Sequence, residues 1–523
     1  MATQSRLGFA SLVCISWLSW TAASALPADD DAASQRLQPV ATAAWTPENA
    51  RHLLFRAGLG GSSQDVQAIY KLGPVEAVNQ LVDYGSQPAL DLPLPSAAEL
   101  PEPAKNVAKL TPEEKQQLNN RLRREDQQRV AELRAWWIRR MIESPRPLEE
   151  KLTLFWHGLL TSGYQTVRSS FAMYQQNQLL RRHAAGNYGS LLHAIVHDPA
   201  MLRYLDNSSN VRGRPNENLG RELLELFSLG EGNYTEADIK EGARALTGFT
   251  YDRNTWQFRF TRSSHDAGEK TVFGQTGNWD GDKLVDLVLQ QPAAARYIVR
   301  KLFVFFVHDS PDEAMIEGLA RIFREHDYEL SPVLKTIFLS EAFYSPRAIG
   351  THVKSPAEFV AGTIRSLPIE QVDYQALVFA LRNMGQDLLE PPNVKGWDGG
   401  RTWLSTNWLL ERQNFAVGLV TSGGWVSKLQ AKLMPKRPSL GKTKLDLVAV
   451  AASENLTTAD QVVTFLSRTL LTAPLTADER SELIAAVGEL PPQAEWTARK
   501  SDINTQLLRL VALIVSMPQY QLS

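Results

Sequence analysis

Glu217, Arg221 and Glu225 recur at intervals of four within residues 215–248, with Glu222 beside them. On a helix that spacing puts the three on one face. Carboxylates beside a guanidinium can move a proton in general acid–base chemistry. Glu222 is the sharpest candidate, because Leu219, Leu223 and Leu226 bracket it and partial burial raises a carboxyl pKa. Asn216 and Asn218 add amides for a polar ligand. The same residues also read as plain helix chemistry. Asn216 is then the cap, Glu217 complements the dipole, and Glu217–Arg221–Glu225 is an ion-pair ladder. A second set, His265-Asp266-Ala267-Gly268-Glu269-Lys270, offers a histidine–aspartate pair as base and Lys270 as anion clamp. Its bland reading is a turn made by Asp266 and Gly268.

Arginines concentrate between 168 and 244, at Arg168, Arg181, Arg182, Arg203, Arg212, Arg214, Arg221 and Arg244. With Tyr204, Asp206, Asn207 and Asn210 they suit an acidic-glycan cleft, since planar guanidiniums match carboxylate and sulfate. Ordinary pairing with nearby acids is the alternative. In PPNVKGWDGGRTW, Trp397 and Trp403 either stack on sugar rings or plug the loop onto the core. His157 follows Phe155-Trp156 and reads as a core histidine. Only convergence of His157, His183 and His265 on a carboxylate would make a metal site. His193 and His197 lack the glutamate of a zinc HExxH motif, and Asn278, Asp280 and Asp282 suit capping better than calcium. The sequence assigns no metal ligand and leaves cofactors unknown. It holds no GxSxG elbow, Walker loop, GxGxxG fingerprint or CxxCH, which removes common hydrolase, nucleotide and cytochrome readings.

The elements that must position these groups are helices. Thr46-Pro47-Glu48 opens one that Gly58 stops; others run from Ser63 to Gly73 and from Pro74 to about Tyr84. Thr111-Pro112-Glu113-Glu114 launches a charged helix to about Ile142. The acids in its RLRREDQQR stretch favour a solvated face over a nucleic-acid patch. Helices fill 148–249, resume at 282–290, 293–307, 311–325, 332–339 and 356–366, and end in a tail of four segments. Tyr251, Trp256, Phe258 and Phe260 alternate with polar residues, as in a β-hairpin. The expectation is an all-α chain with a main domain at 45–425, a linker near 86–110, a strand-like insertion at 250–275 and a helical extension at 444–523.

Residues 1–25 read as a signal peptide: Arg6, an apolar run from Leu7 to Trp20, and Ala23-Ser24-Ala25 before cleavage. Residues 26–44 read as a disordered leader. The single cysteine, Cys14, lies inside the signal, so the mature chain would have neither disulfides nor thiolate ligands. Basic and acidic residues number 55 and 57, leaving no global field for nucleic acid. The expected location is the periplasm or exterior, with no transmembrane anchor.

RHLLFRAGLG, EKLTLFWHGLLTS, NENLGRELLELFSLGEGNYTEADIKEGARALTGF, KSPAEF and MGQDLLEPPNVKGWDGGRTWL together resemble the bacterial family DUF1800, from about residue 45 to the C-terminus. The resemblance implies an exported, largely helical protein, often encoded beside a second exported family that resembles sulfatases. Where the family carries a second histidine after FWH, this chain has Leu159, which weakens a metal site at His157. The leading expectation is an enzyme cleaving an extracytoplasmic glycan, acidic ones included, by hydrolysis or elimination. Glu222 or Glu217 would be the acid/base with His265 and Asp266 as partner. Asn216, Asn218, Arg221, Lys270, Arg203, Trp397 and Trp403 would bind substrate. The alternative is a non-catalytic scaffold that works with the sulfatase-like protein.

Overall fold

A computed structural model describes residues 36–102, 107–421 and 444–523. The signal peptide, Cys14, the first part of the leader and the basic linker at 428–443 lie outside the described residues. The rest is helical, with two small antiparallel hairpins. Among the described residues no helix is long and apolar enough to cross a membrane.

The caps decide where helices begin. Thr46 accepts from the Asn49 N–H and Pro47 takes the first helical position of Pro47–Arg56. Ser62, Thr111, Thr235 and Ser355 each form a reciprocal capping box with an acid three residues on, satisfying N–H groups that the first turn leaves free. Residues 63–82 form one helical run broken at Gly73, which adopts φ 76° ahead of Pro74. The long helix spans Pro112–Glu143, about 48 Å at 1.5 Å per residue.

Two apolar clusters hold the chain together. One joins the Pro47–Arg56 and Ser63–Val82 helices to most of residues 148–348. The other gathers the C-terminal half of the long helix, residues 357–389 and the closing helices around Trp137, Leu381 and Leu510. The C-terminus returns to this second cluster: Lys354 Nζ donates to the Tyr520 carbonyl at 2.9 Å, and Val353 bridges Leu522.

One expectation needs correction. Residues 36–40, read as disordered leader, run beside 339–342 through Val40 N–H to Leu339 O at 2.7 Å and Glu341 N–H to Gln38 O at 2.8 Å. The expected strand-like insertion is present, as two hairpins. β1 (Phe249–Tyr251) pairs β2 (Phe258–Phe260), and β3 (Lys270–Val272) pairs β4 (Gln275–Gly277). Trp256 belongs to the first hairpin's turn, at φ 52°.

Candidate acid–base site

The helix that carries Glu222 is short. It runs Asn218–Glu222 and then widens into a π-helix over Leu223–Leu229. A π turn shifts every later residue around the axis and recurs at functional sites. Its carbonyls find partners outside the helix. Tyr297 Oη donates to Leu226 O at 2.7 Å, Tyr188 Oη to Phe227 O at 2.6 Å, and Asn233 Nδ2 to Leu229 O at 3.0 Å.

The widened turn breaks the expected ladder. Arg221 pairs with Glu217 at 3.1 Å, but its second partner is Glu236 at 3.0 Å. Glu225 instead accepts from Tyr234 Oη at 2.6 Å. Asn216 accepts from the Asn218 N–H at 3.0 Å and donates to Ser209 Oγ at 3.0 Å, which fixes the entry to the helix. Asn218 is exposed at the first turn and Arg203 is half-buried in the last turn of Pro199–Tyr204.

Glu222 is left half-buried. Burial, and then the negative charge of Glu225, raise its pKa; Arg221 and Lys395 oppose them. Tyr204 lies within electrostatic reach of Glu222 and of a second carboxylate, Glu390. Its own pKa is raised by burial, then by the charges of Glu390 and Glu222. Glu390 Oε2 accepts from the Gln165 N–H at 2.8 Å, and burial raises its pKa as well.

Gly163 makes room for Glu390 and Tyr204. A Cβ there would lie 3.0 Å from Glu390 Oε1 and 3.4 Å from Tyr204 Cε2. The loop bearing Glu390 and Lys395 is seated by a second glycine. A Cβ on Gly396 would fall 2.0 Å from the Gly158 carbonyl oxygen, so only glycine allows this approach. Trp397 packs half-buried beside it, 5.7 Å from the His157 ring.

Electrostatics thus couples three segments: the Asn218–Glu222 helix, YLDN and EPPNVKGW. Glu390 was missed because its link to Tyr204 is wholly tertiary. The one local signal was Pro391-Pro392, which fixes the backbone just after it.

The histidine–aspartate pair falls elsewhere. Asp266 is held by Arg244 Nε at 2.8 Å and by the Gly268 N–H at 2.9 Å. Its pKa is lowered to about 2, chiefly by the Arg244 hydrogen bond. His265 sits 2.8 Å from the Thr247 carbonyl through Nδ1. Lys270 is buried, donating to the carbonyls of Asp266 and Gly268 at 2.5 and 3.0 Å. Among the described residues none of the three bonds or pairs with Glu222. Loop closure occupies the Asp266 carboxylate, the Lys270 ammonium and His265 Nδ1, away from Glu222, which counts against their reading as partner base and anion clamp. Trp403 is also corrected as a stacking platform: it is buried, 5.7 Å from the Trp408 ring.

The arginine cluster disperses too. Arg181 is buried on Glu150 at 2.9 Å, Arg244 serves Asp266 and Glu241, and Arg168 reaches a large cleft away from both. His157 is a core histidine, buried between Trp137 and Trp397, its pKa pushed down to about 3 by desolvation. His193 and His197 meet Asp282 at 3.2 and 3.1 Å, and His193 also meets Asp286 at 3.2 Å. Among the described residues no group of three or more metal-ligating side chains has the geometry to hold an ion.

A family model described as a protein of unknown function, DUF1800, matches residues 52–522. No curated protein and no solved structure matches the chain.

Proposed function

We propose an acid–base activity from the site itself, since the chain belongs to the DUF1800 family, whose description names no reaction. On this reading the protein cleaves an extracytoplasmic glycan, with Glu222 as the protonated acid and Glu390 as the second carboxylate. The observation that supports it is a pair of half-buried carboxyl groups, both with raised pKa, whose charges both reach Tyr204. A raised pKa makes a carboxyl hold its proton more firmly, as protonation of a leaving oxygen requires. Tyr204 adds a hydroxyl that senses both charges, and Lys395 a positive charge felt by Glu222. The export that residues 1–25 suggest would place this chemistry outside the cytoplasm.

The test is reducing-end release by the purified mature protein from neutral and acidic bacterial glycans. Glu222→Gln and Glu390→Gln, each folded by circular dichroism, are expected to lose roughly 10²–10⁴-fold in rate. A Glu222→Gln protein as active as its parent removes Glu222 from the reaction. An unsaturated product absorbing in the near ultraviolet marks elimination, and its absence marks hydrolysis.

A further inference from the structure

The largest cavity described is a cleft of about 1450 Å³ between the middle of the long helix, residues 164–169 and the tip of the β1–β2 hairpin. Seven arginines and four carboxylates line it, a net of three positive charges in a chain whose overall charge is −2. Part of that charge is committed: Arg134 and Arg382 pair with Asp387 at 3.3 and 2.8 Å. Arg123, Arg168 and Arg253 are exposed and make no ion pair among the described residues. They come from three different elements and face one space.

Two residues of this lining hold backbone conformations that L residues rarely adopt: Arg168 at φ 54° and Trp256 at φ 52°. Strain of this kind persists where surrounding structure enforces it, often at ligand sites. Trp256 stacks on Tyr251 with ring centroids 4.9 Å apart and planes 11° off parallel. One face is thereby backed by a second ring, and the side chain lies at the wall of the cleft. Asp126 is fixed by Tyr164 Oη at 2.8 Å and Ser170 Oγ at 2.7 Å. The cleft also reaches the candidate site, because Gln165 lines it and donates its N–H to Glu390.

We propose that this cleft binds an anionic glycan carrying a carboxylate or sulfate on spaced sugars, with Arg123, Arg168 and Arg253 on the acidic groups and Trp256 against a ring. The inference rests on the reading of Glu222 and Glu390 as a glycan-cleaving pair and names the substrate class. Guanidiniums match carboxylate and sulfate in geometry and charge. The interspersed carboxylates favour a glycan over a nucleic acid. They repel a continuous phosphate backbone but accept hydrogen bonds from the hydroxyls between charged sugars.

The experiment measures binding separately from cleavage. Polygalacturonate, dextran sulfate, neutral dextran and single-stranded DNA are titrated against the full mature protein and a triple variant, Arg123→Ala, Arg168→Asn, Arg253→Ala. Asparagine at 168 tolerates the left-handed backbone. The proposal expects at least one acidic glycan to bind, neutral dextran not to, and the triple variant to lose at least tenfold in affinity with its fold unchanged. Binding should weaken as salt rises, through screening. Equal binding of neutral dextran, unchanged affinity in the triple variant, or DNA bound more tightly than either glycan overturns it. Acidic glycans that bind but are never cleaved leave this inference standing and overturn the catalytic one.

Discussion

At the scale of single residues, Glu222 differs from its neighbours in what surrounds it. Glu217 and Glu225 have close polar partners in Arg221 and Tyr234, while Glu222 lies beside buried Leu219 and Leu223. The bracket of leucines made its burial legible in sequence. The charge of Glu225 is the second cause of its raised pKa, which gives a signed prediction. Removing that negative charge favours ionisation, so Glu225→Gln lowers the pKa of Glu222. If Glu222 acts as an acid, the alkaline limb of the kcat/KM profile moves to lower pH in Glu225→Gln. A profile that does not move removes the coupling. His265 and Asp266 were legible as a loop with chemistry, but sequence could not show that Arg244, twenty-two residues before Asp266, had already taken its carboxylate.

At the scale of elements, the sequence was most legible where local chemistry decides the outcome. Thr46, Thr111, Thr235 and Ser355 cap as their spacing requires, and Gly73-Pro74 breaks the helix where the pattern breaks. The π-helix was illegible because its partners, Tyr188 and Tyr297, come from helices remote in sequence. Those hydroxyls make a test possible. Tyr188→Phe leaves the Phe227 carbonyl without its partner in the core and should cost about 1–3 kcal/mol in urea denaturation. Glu222 immediately precedes that turn, so activity is expected to fall with it. Full stability in Tyr188→Phe would show that the carbonyl had relaxed to another donor. The arginine cleft was missed for a similar reason. RLRREDQQR reads as a solvated face, and nothing in it tells that residues 164–169 and a hairpin tip stand opposite.

At the scale of the whole molecule, one carboxylate ties distant parts together. Glu358 caps its own helix by accepting from the Ser355 N–H at 2.7 Å. It also pairs with Lys151 at 2.8 Å and His352 at 3.1 Å. Burial alone would raise its pKa, but the Lys151 charge and the hydrogen bond with His352 hold it well below the usual carboxylate range. Arg56, Lys354 and Arg412 are buried nearby. Glu358→Gln strands those cations and should destabilise the fold by about 3–5 kcal/mol, read by chemical denaturation; a neutral outcome would mean that water or another anion reaches them. Because the folded pKa is depressed, this stabilisation is present above the unfolded carboxylate range, near pH ~4.3, and is lost as pH falls toward the folded value. The placement of the C-terminus has a consequence for the order of events in the cell. The second apolar cluster takes members from Leu59 to Tyr520, so no shorter nascent chain contains all of it. The Trp137 face of the long helix is made early and must wait for residues as late as Tyr520 before it is fully covered, and until then the chain stays incompletely closed, the condition in which a polypeptide is most easily threaded through a pore.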